Sequence, residues 1–437
     1  MGYRLSSVRH GSLGSSPPAS DISGRPPTTS FVVAAVRDES GLKARSGRLV
    51  ASIGSTLELS MKRATQVSAR AGRSRFRKTV AALAAGAALS VASVGVAPAT
   101  AATVTETAGH RPVPVVYDSD LDFDDASTLA FLCQAHKQGR IELRAVTVVN
   151  NGIGTAGRSL THARTILRKC GLPRVPVADG SPTGVHQAPP EARETFERVL
   201  TGALDDADQP DQPSALTAAQ LIARSVLSSR DPVTVLATGP VSNVAAALRE
   251  HRGVAQRIAS LYMMGGAFDV PGNLFGSTTG GFDNTQEVNL WIDPNSADFV
   301  FKTMPAGRVR IVPLDATNHV MITQAYVDRL GASARTVEAR LVHTILTQPD
   351  LPPLIELDIM FWWDALAATS LVLGPRDDLV QYQPRRVSVV LDGASSGRTI
   401  DSPDGTPQLA GYTADGARFE DTFTTTLNGG RHQLGQR

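Results

Sequence analysis

Cysteine is nearly absent from this chain. Its 437 residues hold two, Cys133 and Cys170. Two thiols are too few for a zinc site, and the sequence leaves open whether they pair. Lysine is scarce as well: six stand against 37 arginines, a bias expected of GC-rich coding. Beyond residue 101 only Lys137, Lys169 and Lys302 remain, all in expected helices. That scarcity weighs against a phosphohydrolase with Asp118 as nucleophile and Asp120 as acid, which wants a positioned lysine. No convincing internal repeat is present. A basic excess is missing where a polyanion would need it. Residues 1–101 carry 14 Lys/Arg and four Asp/Glu, which leaves 29 basic against 37 acidic residues, a net of −8, in 102–437. Nucleic-acid binders normally present a basic face, so no nucleic-acid partner is expected.

The basic N-terminus has its own explanation. Met61-Lys-Arg and a cluster from Arg70 to Lys78 precede an uncharged, Ala-rich run from Thr79 to Val96. Ala97-Pro-Ala-Thr-Ala-Ala102 then offers small-residue cleavage sites after Ala99 or Ala101. Charged, apolar, small is the order of a secretory signal peptide. The run is short and rich in Ala and Gly for a membrane span, so cleavage is expected, with a secreted product and no stable membrane anchor. No Arg-Arg pair adjoins the run, which favours the general secretory route. Residues 1–60 read as disordered, or as an extension upstream of a start at Met61. Residues 102–437 then suffice for one large α/β domain.

The most informative stretch is Val113-Pro-Val-Val-Tyr-Asp-Ser-Asp-Leu-Asp-Phe-Asp-Asp125. A short apolar run ends in Asp118, Asp120, Asp122, Asp124 and Asp125, and a helix-like segment follows. Like charges this close repel unless a cation sits among them. A solvated loop, or a helix cap at Asp124, is the plainer alternative. Apolar runs and helical patterns alternate onward. Strands are expected at 113–117, 143–149, 233–237, 261–264 and 309–313. Helices are expected at 125–137, 155–169, 217–228, 243–252, 294–302 and 364–373. Such repeated units predict an open, mostly parallel, doubly wound sheet with helices on both faces. Ligands in such sheets bind beyond the carboxyl ends of the strands. Residues 179–213 and 266–286 lack a clear period and read as long loops, candidate lids. Segments 386–391, 398–400 and 419–427 read as short strands of a small C-terminal β appendage.

From Pro112 onward the chain resembles the calcium-dependent nucleoside hydrolases, the inosine-uridine preferring family. Asp118-Ser-Asp-Leu-Asp-Phe-Asp-Asp125 is similar to that family's Asp-x-Asp-x-x-x-Asp-Asp signature. Thr147-Val-Val-Asn-Asn151, Ala237-Thr-Gly-Pro-Val-Ser-Asn243, Met263-Met-Gly-Gly266, Gln286-Glu-Val-Asn289 with Asp293-Pro294, Trp363-Asp-Ala365 and Gly397-Arg-Thr-Ile-Asp401 follow in the family's order. The resemblance implies hydrolysis of the N-glycosidic bond of a ribonucleoside, with Ca²⁺ as cofactor. It implies Asp120, Asp125, Asp364 and the Thr238 carbonyl as metal ligands, and Asp120 also as general base. Asp124, Asn151, Met264, Asn273, Glu287 and Asn289 would hold substrate, with Asn284 the alternative to Asn273 because the spacing to Glu287 is longer than the family's, and Asp118 would support Asp120. It also implies a homodimer or homotetramer.

Two departures from the family pattern stand out. Leu121-Asp122 replaces the family's usual Pro-Gly, and the extra carboxylate of Asp122 is expected to point away from the metal, or else to tune it. Trp363 stands where many pyrimidine-accepting members place His, which implies the purine-preferring type. Asn243 is expected to be a helix N-cap, and one of Trp362 and Trp363 to be core. His186 and His319 are expected to be structural. A non-catalytic calcium- or nucleoside-binding protein of the same fold remains the other reading.

Overall fold

The computed structural model describes residues 111–210, 212–274 and 281–430. The expected signal peptide at 61–101 and the upstream residues 1–60 lie outside the described residues. Nine strands are described: β1 (Val113–Ser119), β2 (Ile141–Val148), β3 (Val177–Asp179), β4 (Val233–Ala237), β5 (Ile258–Met264), β6 (Val309–Val312), β7 (Val380–Val389), β8 (Thr399–Asp401) and β9 (Thr406–Ala414). They form one sheet in the order β3-β2-β1-β4-β5-β6-β9-β7-β8. The first seven in that order run parallel, and β7 and β8 complete the far edge antiparallel.

Strands β1 and β4 are buried along almost their whole length because helices cover both faces. Val115 and Tyr117 of β1 join a core with helices Phe123–Lys137, Trp363–Leu373 and Gly416–Leu427. Val116, one residue out of phase, joins the opposite core with helices Ala218–Leu227, Ser242–Glu250 and Pro294–Thr303. Cys133 and Cys170 are both buried and free. Among the described residues no helix is long and apolar enough to cross a membrane.

The doubly wound sheet was legible, with element ends shifted by a few residues. Two readings need correction. Residues 179–213 are not a structureless lid: Pro190–Leu204 is a helix that buries Thr195, Val199, Leu200, Ala203 and Leu204. The segment 419–427 is not a strand. It belongs to the helix Gly416–Leu427, whose buried Phe419, Phe423 and Leu427 recur every four residues. The remaining C-terminal strands extend the main sheet through β9.

This topology fixes the place of the site. Chain order reverses between β1 and β4, which lie side by side in the sheet. A crevice opens at such a switch point beyond the strand ends. The Asp118–Asp125 segment leaves β1 there, and Thr238 follows β4 directly.

Candidate active site

The segment after β1 turns at once into a helix. Asp122, not Asp124, is its N-cap: its Oδ1 accepts the Asp124 backbone N–H at 3.0 Å, and its own N–H donates to Asp125 Oδ2 at 3.1 Å. That reciprocal pair is a capping box, and it aims Asp124 and Asp125 back toward the strand ends. Tyr117 Oη donates to Asp125 Oδ1 at 2.9 Å, and the Thr238 hydroxyl reaches the same oxygen at 2.5 Å. Asp125 is thus fixed from both β1 and β4. Asp364 arrives from the first turn of the helix Trp363–Leu373, and its backbone N–H donates to Asp124 Oδ2 at 2.9 Å.

Asp120 is held differently. Its Oδ2 accepts the Ile153 N–H at 2.5 Å. A Cβ on Gly152 would stand 2.1 Å from that oxygen, so the loop after β2 approaches as only glycine allows. Asp118 lies beneath, its Oδ1 taking the Thr147 hydroxyl at 2.6 Å and the Asn243 amide at 2.8 Å. Asn243 is therefore not the N-cap expected of it; Val241 is.

Asp118, Asp120, Asp124, Asp125 and Asp364 are buried and Asp122 is half-buried. Burial is the first cause that pushes all six carboxyls up. Asp118 and Asp124 rise to about 7 and Asp125 to about 6; Asp120, Asp122 and Asp364 rise well above their ordinary value. Among the described residues no Lys, Arg or His forms an ion pair with any of them. An all-oxygen cluster of this kind fits a hard divalent cation, which would supply the missing positive charge. One oxygen each of Asp122, Asp125 and Asp364 lie within 4.8 Å of one another. Asp122, expected to point away from the metal or to tune it, places one oxygen in this group.

Of the other expected residues, Asn289 is bonded to Thr238 and Glu287 is close enough to Asp120 to feel its charge. Asn151 donates to the Thr183 carbonyl at 3.0 Å and to Ser242 Oγ at 2.8 Å, while its buried Oδ1 has no partner. Asn289 donates to the Thr238 carbonyl at 2.9 Å and lies against Met264. Glu287 caps the short helix Val288–Ile292: its two oxygens take the N–H groups of Asn289, Leu290 and Gly266. Burial pushes it up to about 7, against those three bonds. Asn273 Oδ1 accepts the Val288 N–H at 2.9 Å and so braces that helix. Trp362 is fully buried. Trp363 is half-buried, its ring 6.3 Å from Phe123 and 5.8 Å from Phe361. His186 stacks on Trp291 at 5.0 Å, and His319 is exposed. Sequence reasoning passed over Tyr117, Thr147, Ser242 and Gly152. Their signal is only adjacency to motif residues.

Comparison with known proteins follows the same lines. The family model described as inosine-uridine preferring nucleoside hydrolase matches residues 115–422. The chain is 32% identical over 227 residues to a pyrimidine-specific ribonucleoside hydrolase, RihA, of Shewanella oneidensis. That match covers 50% of this chain and 64% of that protein, just under two thirds of its length. The RihA of Photobacterium profundum is 29% identical over 225 residues, covering 50% and 65%. Among solved structures, an inosine-uridine preferring nucleoside hydrolase of Bacillus anthracis superposes with TM-score 0.63 at 24% identity, over 72% of this chain and 99% of that one. A purine-preferring ribonucleoside hydrolase of Gardnerella vaginalis gives TM-score 0.58 at 22% identity, over 72% and 98%. At these identities the structural likeness carries the fold.

Proposed function

Since the chain belongs to the inosine-uridine preferring nucleoside hydrolase family, we propose that it cleaves the N-glycosidic bond of ribonucleosides, adding water to give ribose and the free base. The observation that carries this reading is the meeting of Asp120, Asp125, Thr238 and Asp364 at one switch point, from β1, β4 and a helix 240 residues downstream of Asp124. Fold alone would not specify chemistry, so the reading rests on this site.

Asp120, Asp125, Asp364 and the Thr238 carbonyl are the groups that would hold the cation, which we take to be Ca²⁺. When bound, it supplies Lewis acidity to water and a tether for a sugar diol. Asp120 takes the proton of the attacking water at its carboxylate, with Oδ2 steadied by the Ile153 N–H. Asp118 positions it from below. Asp124 accepts a ribose hydroxyl beside the Asp364 N–H. The unpaired Oδ1 of Asn151 offers a second acceptor. Glu287 has one acceptor site left after its three N–H bonds, and Asn289 retains its Oδ1. These buried groups shed water from the sugar and fix its orientation, which supports an oxocarbenium-like transition state.

Trp363 adjoins Asp364 and, with Phe123 and Phe361, presents an aromatic wall. We propose that the leaving base stacks there and that purines are preferred, because no His stands at that position to protonate a pyrimidine. The RihA relatives carry the opposite, pyrimidine-specific name, so the assay must decide between them. Inosine, adenosine and guanosine are expected to react faster than uridine and cytidine. Trp363→Ala should lower kcat on purines by far more than on nitrophenyl riboside, whose leaving group needs no proton. Equal losses on both would make Trp363 a packing residue and remove the purine assignment. Ribose release from inosine also separates hydrolysis from mere binding, and phosphate release from a phosphate ester would instead support the nucleophile chemistry.

A further inference from the structure

The proposed base, Asp120, is gripped by the loop that follows β2. Gly152, Ile153 and Gly154 close around it. The Ile153 N–H donates to Asp120 Oδ2 at 2.5 Å. A Cβ on Gly154 would stand 1.9 Å from the Asp120 carbonyl oxygen, so backbone meets backbone there. The front of the loop is tied down elsewhere: the Asn150 N–H and side-chain amide donate to the Ser181 and Gly180 carbonyls at 3.2 and 3.0 Å. The rear has no such anchor of its own. With glycine at both ends, 152–154 has little intrinsic stiffness. Of the described hydrogen bonds, one ties this segment to Asp120, through Ile153, and one ties it to anything else.

That other bond comes from Arg193, on the helix Pro190–Leu204. Its Nη2 donates to the Gly154 carbonyl at 2.5 Å and to the Asn150 carbonyl at 3.3 Å. The nitrogen carries two hydrogens, so it serves both ends of the loop at once. The arginines nearby behave differently. Arg158 pairs with Glu197 and Asp206, and Arg198 with Asp350. Among the described residues Arg193 pairs with no acid, and its charge falls on two carbonyl oxygens. Nor does it serve its own helix. It stands three residues after Pro190, at the helix start, where the helix dipole disfavours a cation.

We propose that Arg193 is a positioning residue for Asp120: its guanidinium closes the loop 150–154, and the closed loop holds the Ile153 N–H on the Asp120 carboxylate. The inference rests on the hydrolase reading above. Without the clamp, 152–154 would be tied only to the group it has to hold, and Asp120 would shift with it. A reacting group misplaced by about 1 Å can cost about a hundredfold in rate. The defect lies in activating water, so it falls alike on natural nucleosides and on nitrophenyl riboside. That separates Arg193 from Trp363, whose loss is expected to fall mainly on purines.

The full chain and Arg193→Ala are compared on inosine, uridine and nitrophenyl riboside. Arg193→Ala should lower kcat about a hundredfold on every substrate that the unaltered chain cleaves, with KM and melting temperature little changed. Millimolar guanidinium chloride should restore kcat severalfold in this variant and leave the unaltered chain as it is. Backbone amide exchange, followed by mass spectrometry, should quicken in peptides covering 152–154 and stay the same in the rest of the helix. Arg193→Gln, shorter and uncharged, should lose about tenfold or more in kcat. It decides alone if Arg193→Ala does not fold. Unchanged kcat, or unchanged exchange at 152–154, overturns the proposal. So does a loss of activity that comes with early melting and is not restored by guanidinium, which would make Arg193 a staple of the fold. If the unaltered chain cleaves none of the three substrates, the hydrolase reading falls and this inference with it. If it cleaves them and Arg193→Ala does so equally fast, only this inference falls.

Discussion

The two oxygens of Asp118 have different fates. Oδ1 takes donors from Thr147 and Asn243, and Oδ2 is buried without a partner. Removing one donor leaves a buried carboxyl with a single bond, a change that typically costs about 1–3 kcal/mol. Asn243→Ala should therefore lower unfolding free energy by about that amount in a urea titration, with activity falling as Asp120 loses its support. A loss under about 0.5 kcal/mol would show that Asn243 is dispensable to Asp118. The bond joins residues 125 apart in sequence. This distance explains why the Asn reads as a helix cap: its local context, just after Thr-Gly and before an Ala-rich helix, is that of a cap. The carboxylates and Thr238 were legible because chemistry concentrates them in short motifs. Gly152 left no such mark, because the Asp120 oxygen it makes room for follows another strand.

Helix Arg158–Lys169 and helix Pro190–Leu204 are tied by a buried ionic network away from the metal cluster. His162 lies 2.9 Å from Asp206 and 3.2 Å from Glu197, and Arg158 bonds both acids at 3.0–3.1 Å. Burial alone would lower the His162 value, but bonds to Asp206 and Glu197 outweigh it and raise it above 6.5. Burial works to raise Glu197 too, and His162, Arg158 and Thr201 bring it down to about 2. The raised histidine contributes stability that is complete below 6.5 and is lost as pH climbs through its folded value. The depressed glutamate contributes stability that is complete above 4.5 and is lost as pH falls toward 2. The network is therefore strongest between those two ordinary values, 4.5 and 6.5. Melting temperature should fall from pH 6 to pH 9, and His162→Gln should flatten that slope. An identical slope in the variant would assign it elsewhere. Helix Pro190–Leu204 escaped sequence reading for a physical reason. Pro189-Pro190 and the surrounding acids look like a loop, yet Pro at the first helical position starts a helix, and the apolar face appears only from Thr195 onward.

At the scale of the whole molecule, the alternation of apolar runs and helical patterns was enough to give a doubly wound sheet. Strand order was not, because adjacency of β1 and β4 is a long-range choice that leaves no local mark. That adjacency sets the energetics of the site. Asp120, Asp122 and Asp125 follow β1, Thr238 follows β4, and Asp364 opens a helix late in the chain. In the unfolded chain these oxygens are scattered, so an ion that binds only the assembled set stabilises the entire fold. At a free ion concentration one hundredfold above Kd the gain is about 2.7 kcal/mol. Exhaustive chelation should thus lower the melting temperature by several degrees and abolish ribose release, and added CaCl₂ should restore both together. Asp125→Ala should abolish activity and show no calcium-dependent rise, since that carboxylate is bonded by both Tyr117 and Thr238 and cannot be replaced from a neighbouring strand. A chain that keeps full activity and an unchanged melting curve after chelation would mean that the buried carboxylates share protons rather than a cation, and the metal assignment would fail with it.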